Sequence, residues 1–301
     1  MELNQADEVL SSPLAPNAKD NLSMMHSKFI CCKLYISESC NPTAIAAIDL
    51  AAKTDPQVAV LSKFEDSLYN RVRYTLVSYI IDDSSTGEVI YSPIRKVLLA
   101  MMEAAFSAIN LELHSGAHPR MGVNDDLSFH PLGQATMEDA ASLAKQLASD
   151  IGNDFQVPVF LYAAAHPTGK SVGAIRRELG YYRPNHMGNQ WSGATTVGAT
   201  PFLEGYNVPV LSKDVATVRR ITRRLSGRGG GLPTVQALAL LHGDDCTEIA
   251  CLLDPDHVSA YQVQTVVEQI AAEQGLEVEK GYFTDLTKDR MLDKYLKITA
   301  D

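Results

Sequence analysis

The chain is poor in tryptophan, in cysteine and in positive charge. Its 301 residues include one tryptophan and five cysteines. The cysteines are Cys31, Cys32, Cys40, Cys246 and Cys251; the count is odd, two are adjacent and no pair has C-x-x-C spacing. This argues against a disulfide framework or a zinc knuckle and fits a reducing compartment. No run of ~18 apolar residues occurs, so no membrane-spanning helix is expected. The 26 basic residues are outnumbered by 36 acidic ones, a formal net charge of −10. A general nucleic-acid binder shows the opposite balance, so no nucleic-acid partner is expected. An anionic substrate is still possible, but it needs a local cluster of Arg or Lys working against the overall field. Two phosphate-binding glycine signatures are also missing. Gly-Arg-Gly-Gly-Gly at 227–231 is not followed by Lys-Ser/Thr, and no GxGxxG follows the first strand.

What is present is an ordinary globular balance, 46% hydrophobic and 21% charged. At ~100–200 residues per domain, the length fits two units. Residues 1–27 show no clear periodicity and no apolar signal core, and they read as an arm. Alternation then begins. Lys28 to Ser37, Gln57 to Lys63 and Val72 to Ile81 read as strands, rich in β-branched and aromatic residues. Asn41-Pro42-Thr43 and Ser92-Pro93 open helices, as does Thr136 with its acidic first turn. Asp126 to His130 and Val157 to Ala164 are strands, Ser171 to Leu179 a helix, and Pro184 to Gly198 a loop rich in Gly, Asn and Ser. From Tyr206 onward the order is strand, helix, strand, strand, helix, strand and a last helix, the ferredoxin-like split βαβ unit. The fold class expected is α+β, two ferredoxin-like α/β sandwich subdomains with a cleft between them. Domain boundaries fall at 28–203 and 204–301, after the arm at 1–27.

The densest polar stretch runs from His114 to Asp125, HSGAHPRMGVND. Gly116, Pro119 and Gly122 forbid a regular helix, so this is a shaped loop where side chains can converge. His suits acid–base work near neutrality. Arg120 can hold a carboxylate through two hydrogen bonds, and Asp125 can orient a ring or take a proton. The competing reading is a hydrogen-bonded structural loop. His114, His118 and His130 lack the helical spacing of a metal site, so no metal is expected.

His118-Pro119-Arg120-Met121-Gly122 resembles the HPRMG signature of the formiminotransferase family, the formiminotransferase half of formiminotransferase-cyclodeaminase. Further segments follow in compatible order. Asn70-Arg71 with Tyr74-Thr75 is similar to the family's NR-x-x-Y-T strand, and Val157 to Tyr162 to its V-P-V-Y-L-Y strand. Gly193-Ala194-Thr195 with Phe202-Leu203 and Asn207 is similar to its W-G-A-T…K-F-L…N-I-N segment. Gly227-Arg228-Gly229 with Val235-Gln236-Ala237 is similar to its G-R-G…V-Q-A-I-G. The likeness runs from about Cys32 to Lys297. Ala117, Tyr35 and Ala163-Ala164 depart from the family pattern of an acidic residue, an asparagine and Gly-Glu.

The resemblance implies a one-carbon transferase, cytoplasmic and homodimeric, with tetrahydrofolate as co-substrate. It would move a formimino or formyl group between a glutamate derivative and N5 of the folate. His118 maps onto the family's base, with Arg120 and Asp125 in support. Asn70, Arg71, Trp191, Gly193, Ala194 and Arg228 would contact folate or substrate. The alternative is a folate-binding or regulatory module that no longer catalyses. Arg219, Arg220, Arg223, Arg224 and Arg228 form the one basic cluster, either a site for carboxylates or a solvated helix face.

Overall fold

The computed structural model describes residues 28–83, 85–86, 88–180 and 192–300. By packing, these residues form two units. The first takes in the described residues up to Pro201 together with those from Met291 on; the second runs from Phe202 to Arg290. The sequence boundary expected at 203/204 lies close to this division. The stretch from Met291, expected with the second unit, belongs by packing to the first: Tyr295 is buried and meets Phe29 edge-on, ring centroids 5.3 Å apart.

The first unit is built on a six-stranded sheet. Its elements are β1 (Lys28–Ile36), α1 (Pro42–Ala51), β2 (Ala59–Asp66), β3 (Arg71–Tyr79), a short hairpin β4 (Ile81–Asp82) and β5 (Val89–Tyr91), α2 (Pro93–Ala108), β6 (Asn124–Gly133), α3 (Met137–Phe155), β7 (Val159–Ala163), α4 (Val172–Leu179) and β8 (Thr195–Ala199). Sheet order is β2-β3-β1-β6-β8-β7. The first four strands pair antiparallel, a βαββαβ core; β8 lies between β6 and β7 and runs parallel to both. The helices start where capping residues predict. The Asn41 side chain accepts from the Thr43 and Ala44 amides at 3.1 and 3.2 Å. Thr136 and Asp139 form a reciprocal capping box.

Strand alternation separates two chemistries. Ile30, Cys32, Leu34, Ile36, Leu127 and Phe129 point into a core closed by α1, α2 and α3. Lys33, Ser128 and His130, their sequence neighbours, and Arg73 and Thr75, which alternate with the core residues Val72, Tyr74 and Leu76, are buried polar residues outside that cluster. The expected loop at Pro184 to Gly198 is corrected at its end: Thr195–Ala199 is a strand, buried along its whole length. A strand packed on both faces has no polar alternation to reveal it.

The second unit comprises β9 (Glu204–Val210), α5 (Val215–Leu225), β10 (Gln236–Leu241), β11 (Thr247–Leu253), α6 (Ala260–Ala272), β12 (Tyr282–Phe283) and the start of α7 (Lys288–Ala300). Its sheet order, β10-β11-β9-β12, all antiparallel, is that of a ferredoxin-like split βαβ unit. The strand expected over Glu277 to Phe283 shortens to two residues, plus an isolated bridge from Val278 to Val210.

Candidate active site

The HPRMG loop is held on both flanks by backbone. On one side Gly116 lies against the β2–β3 turn; a Cβ there would sit 2.3 Å from the Tyr69 carbonyl oxygen. The Ala117 amide donates to the Leu68 carbonyl at 3.2 Å. Asn70, at φ 49°, clamps two loops at once. Its Nδ2 donates to the Ser115 carbonyl at 2.9 Å, and its Oδ1 accepts from the Ser39 amide at 2.8 Å. On the other side Gly122 pairs with Gly193, and a Cβ on Gly122 would lie 2.3 Å from the Ala194 oxygen. The Val123 amide donates to the Ser192 carbonyl at 2.9 Å and the Ala194 amide to the Met121 carbonyl at 3.0 Å. Ser37 Oγ donates to the Gly122 carbonyl at 2.8 Å.

Beneath the loop lies a carboxylate hub. At the start of β6 the register with β1 slips by one. Tyr35 faces Asp126 and Ile36 faces Asn124, leaving Asp125 unpaired. Strict alternation would send Asp125 to the apolar face with Leu127 and Phe129; the bulge turns it away. Fully buried, Asp125 binds Arg71 Nη1 through Oδ2 at 2.6 Å and Arg176 Nη2 through the same oxygen at 3.0 Å. Its Oδ1 accepts from the Met121 amide, which ties the loop to the hub. The Arg176 and Arg71 guanidinium groups hold the Asp125 carboxyl well below the ordinary carboxylate range, against the desolvation that opposes them. Asp125 is therefore an ionised anchor rather than a proton acceptor near neutrality. Asp126 moves the other way: burial raises its pKa, and it is satisfied by Thr196 Oγ1 at 2.6 Å and Tyr162 Oη at 3.2 Å.

His118 sits on this loop, partly buried, its ring edge-on to Tyr69 with centroids 5.8 Å apart. Its Nδ1 lies 2.7 Å from the Pro119 carbonyl oxygen, an acceptor that fixes the ring proton on Nδ1. Nε2 then carries the free lone pair. Desolvation and the Arg71 guanidinium press the imidazole pKa down to about 3, so the ring is neutral at pH 7. His114 is turned to structural work, its Nε2 donating to the Asn70 carbonyl at 2.9 Å. Arg120 Nη2 donates to the His114 carbonyl at 2.9 Å.

Of the residues singled out in the sequence, His118, Arg120, Asp125, Asn70, Arg71, Gly193 and Ala194 gather around this one loop of the first unit. Gly193 and Ala194 shape it through backbone contacts, and Asn70 through its side-chain amide. Trp191 lies outside the described residues. Arg228 lies in the second unit, exposed in a short 3-10 turn. In the basic cluster, Arg224 pairs with Glu273 and Arg220 donates to Thr217 Oγ1 at 2.7 Å. The sequence reading missed Arg176, Asp126, Thr196 and Tyr162. The signal for Arg176 was present: Val172, Ile175, Arg176 and Leu179 share one face of α4, so a guanidinium interrupts an apolar stripe.

A neutral imidazole on a glycine-shaped loop, backed by two guanidinium groups on one buried carboxylate, has the parts of an acid–base site for a small polar ligand. Residues 29–208 match the formiminotransferase domain, N-terminal subdomain, and the chain belongs to the formiminotransferase family. It is 42% identical over 299 residues to the formiminotransferase cyclodeaminase-like protein of Arabidopsis thaliana, covering 91% of this chain and 99% of that one. It is 27% identical over 233 residues to the glutamate formimidoyltransferase of Streptococcus pyogenes serotype M1, covering 72% and 74%. It is 29% identical over 226 residues to the formimidoyltransferase-cyclodeaminase of Gallus gallus, covering 69% of this chain and 39% of that one.

Proposed function

We propose that the chain transfers a formimino or formyl group between glutamate and N5 of tetrahydrofolate, with His118 as general base. The observation that carries this reading is the His118 tautomer. With Nδ1–H committed to the Pro119 carbonyl, Nε2 is the basic nitrogen, and it has no hydrogen-bond partner among the described residues. In the proposed step N5 attacks the one-carbon centre, forming the N5–C bond as the bond from carbon to the glutamate nitrogen breaks. The proton lost by N5 goes to Nε2 and then to the departing nitrogen. Arg71 and Arg120 are the proposed polar contacts of the ligand in the first unit, beside the loop shaped by Asn70, Gly193 and Ala194; Trp191 and Arg228 are proposed as further folate or substrate contacts. Support for the folate and glutamate comes from the family and from relatives named glutamate formimidoyltransferase. On the same grounds the working form is proposed to be a cytoplasmic homodimer.

The test is formimino transfer from N-formiminoglutamate to tetrahydrofolate. His118→Ala is expected to lower turnover by ~10²–10⁴-fold and to leave binding of 5-formyltetrahydrofolate within about tenfold. Undiminished turnover in that variant removes His118 from the base role. Folate binding by the unaltered chain without any product favours a non-catalytic binding module.

A further inference from the structure

Arg176 has more donors than acceptors. A guanidinium carries five N–H donors. Among the described residues its acceptors crowd onto one nitrogen: Nη2 reaches Asp125 Oδ2 at 3.0 Å, the Asp125 carbonyl at 3.2 Å and Thr196 Oγ1 at 3.2 Å. Nε is buried and has no acceptor among the described residues. The nearest other carboxylate, Asp126, stays 3.9 Å from Nη2 and is engaged by Thr196 and Tyr162. A buried donor left without an acceptor is costly, and native proteins rarely keep one without a reason.

Charge points the same way. Two guanidinium groups share the carboxylate of Asp125, whose pKa they lower, while burial raises that of Asp126, 3.9 Å from Arg176 Nη2. The side chains of Arg71 and Arg176 are each 12% exposed, and the unsatisfied Arg176 Nε is buried. Arg71 is also fixed in plane by Tyr35, whose ring centroid lies 4.8 Å from the guanidinium carbon. The cluster is held by charge-assisted bonds, and among the described residues Arg176 Nε lacks an acceptor.

We infer that Arg176, together with Arg71, is the carboxylate-binding position of this site, and that the ligand presents an oxyanion to the guanidinium edge which Asp125 and Thr196 leave unspent. The inference rests on the proposal that this face of the first unit is the substrate site, and it names the group that the substrate must carry. A fork of parallel N–H donors matches a carboxylate better than a lysine ammonium does. Binding there has a further consequence for His118. The cations that depress its basicity are those an incoming carboxylate neutralises, so an occupied site holds a stronger base than an empty one.

The experiment is a calorimetric titration of the full chain with L-glutamate, repeated on Arg176→Lys, with thermal melts of both. Arg176→Lys keeps a positive charge near Asp125 and removes Nε. The expected result is glutamate affinity lower by about tenfold or more in Arg176→Lys. Equal affinity in the two proteins overturns the inference, and so does absence of saturable glutamate binding to the unaltered chain. Should Arg176→Lys fail to fold, the unaltered chain labelled with 15Nε-arginine supplies the answer. One exchange-protected arginine Nε–H resonance is expected to move as glutamate saturates. No movement in any protected Nε–H assigns the vacant donor to a bound water and overturns the inference. The outcomes separate from those of the His118 test. Full turnover in His118→Ala removes the proposed chemistry while leaving the glutamate titration standing. Arg176-independent glutamate binding with an inactive His118→Ala removes only the carboxylate position.

Discussion

Replacing Asp125 by asparagine removes the one charge on which two buried cations depend. Asp125 is fully buried, and Arg71 and Arg176 are nearly so, so solvent screens the pairs little. Asparagine keeps an oxygen for the Met121 amide and is close in volume. The change therefore tests charge rather than packing. Breaking a buried ion pair by removing one partner costs about 3–5 kcal/mol, because the remaining charge is left uncompensated. Against a typical stability of ~5–15 kcal/mol this is a large fraction. With a urea m-value of about 1–3 kcal/mol per molar, the midpoint of the first unit should fall by roughly 1–5 M. Amide exchange read separately on peptides from the two units should place the loss in the first. Acidification supplies a second check. The folded pKa of Asp125 is depressed, so its contribution is complete above the unfolded carboxylate value near ~4 and is lost as pH falls through the lower folded value. The gap between Asp125→Asn and the unaltered chain should narrow in that acid range. A difference below about 1 kcal/mol at pH 7, or a gap indifferent to acid, would refute the hub.

His118 should show no titration by NMR between pH 8 and pH 5 in the ligand-free chain, with half-protonation near 3. Because its folded value lies below the unfolded ~6.5, the linked stability is complete above that value and falls as pH drops toward 3; a midpoint near 6.5 in the folded chain contradicts the desolvated setting. Gly122→Ala places a Cβ 2.3 Å from one backbone oxygen and 2.7 Å from another, so it should cost ~1–3 kcal/mol and weaken exchange protection of the Val123 and Ala194 amides. Thr136→Ala removes the acceptor for the Asp139 amide at 3.1 Å and should cost about 1 kcal/mol in a urea melt without changing turnover.

The fold was legible where local chemistry marks its own boundaries. Asn41 and Thr136 cap their helices with their own side chains, and the second unit follows its strand and helix order because each element has a clear period; the helix expected from Pro255 starts only at Ala260, capped by Ser259. The strand Thr195–Ala199 escaped because burial on both faces erases alternation. The candidate site was legible as a loop: glycine, proline and two histidines in twelve residues mark a shaped segment. Its electrostatics were not. In sequence Asp125 reads as a group that orients a ring or takes a proton, yet its partners Arg71 and Arg176 lie 54 and 51 residues away. The adjacent Arg176 and Arg177 differ only by which face of α4 they occupy, one beside a carboxylate and the other exposed.

The one-residue slip at Asp125 also sets how this segment can change length. From Asp126 onward every side chain of β6 has an assigned face, and up to Met121 the loop is pinned by the pairing of Gly122 with Gly193. Between those two fixed points the chain holds one residue more than a regular ladder needs. Deleting it would restore regular pairing and send the remaining acidic side chain out of step, stranding both arginines; adding another would reverse the faces again. Insertions and deletions, which surface loops ordinarily absorb, are therefore expected to be lethal to this site at Val123 to Asp125 and tolerable a few residues upstream, around the exposed Glu112 and Leu113.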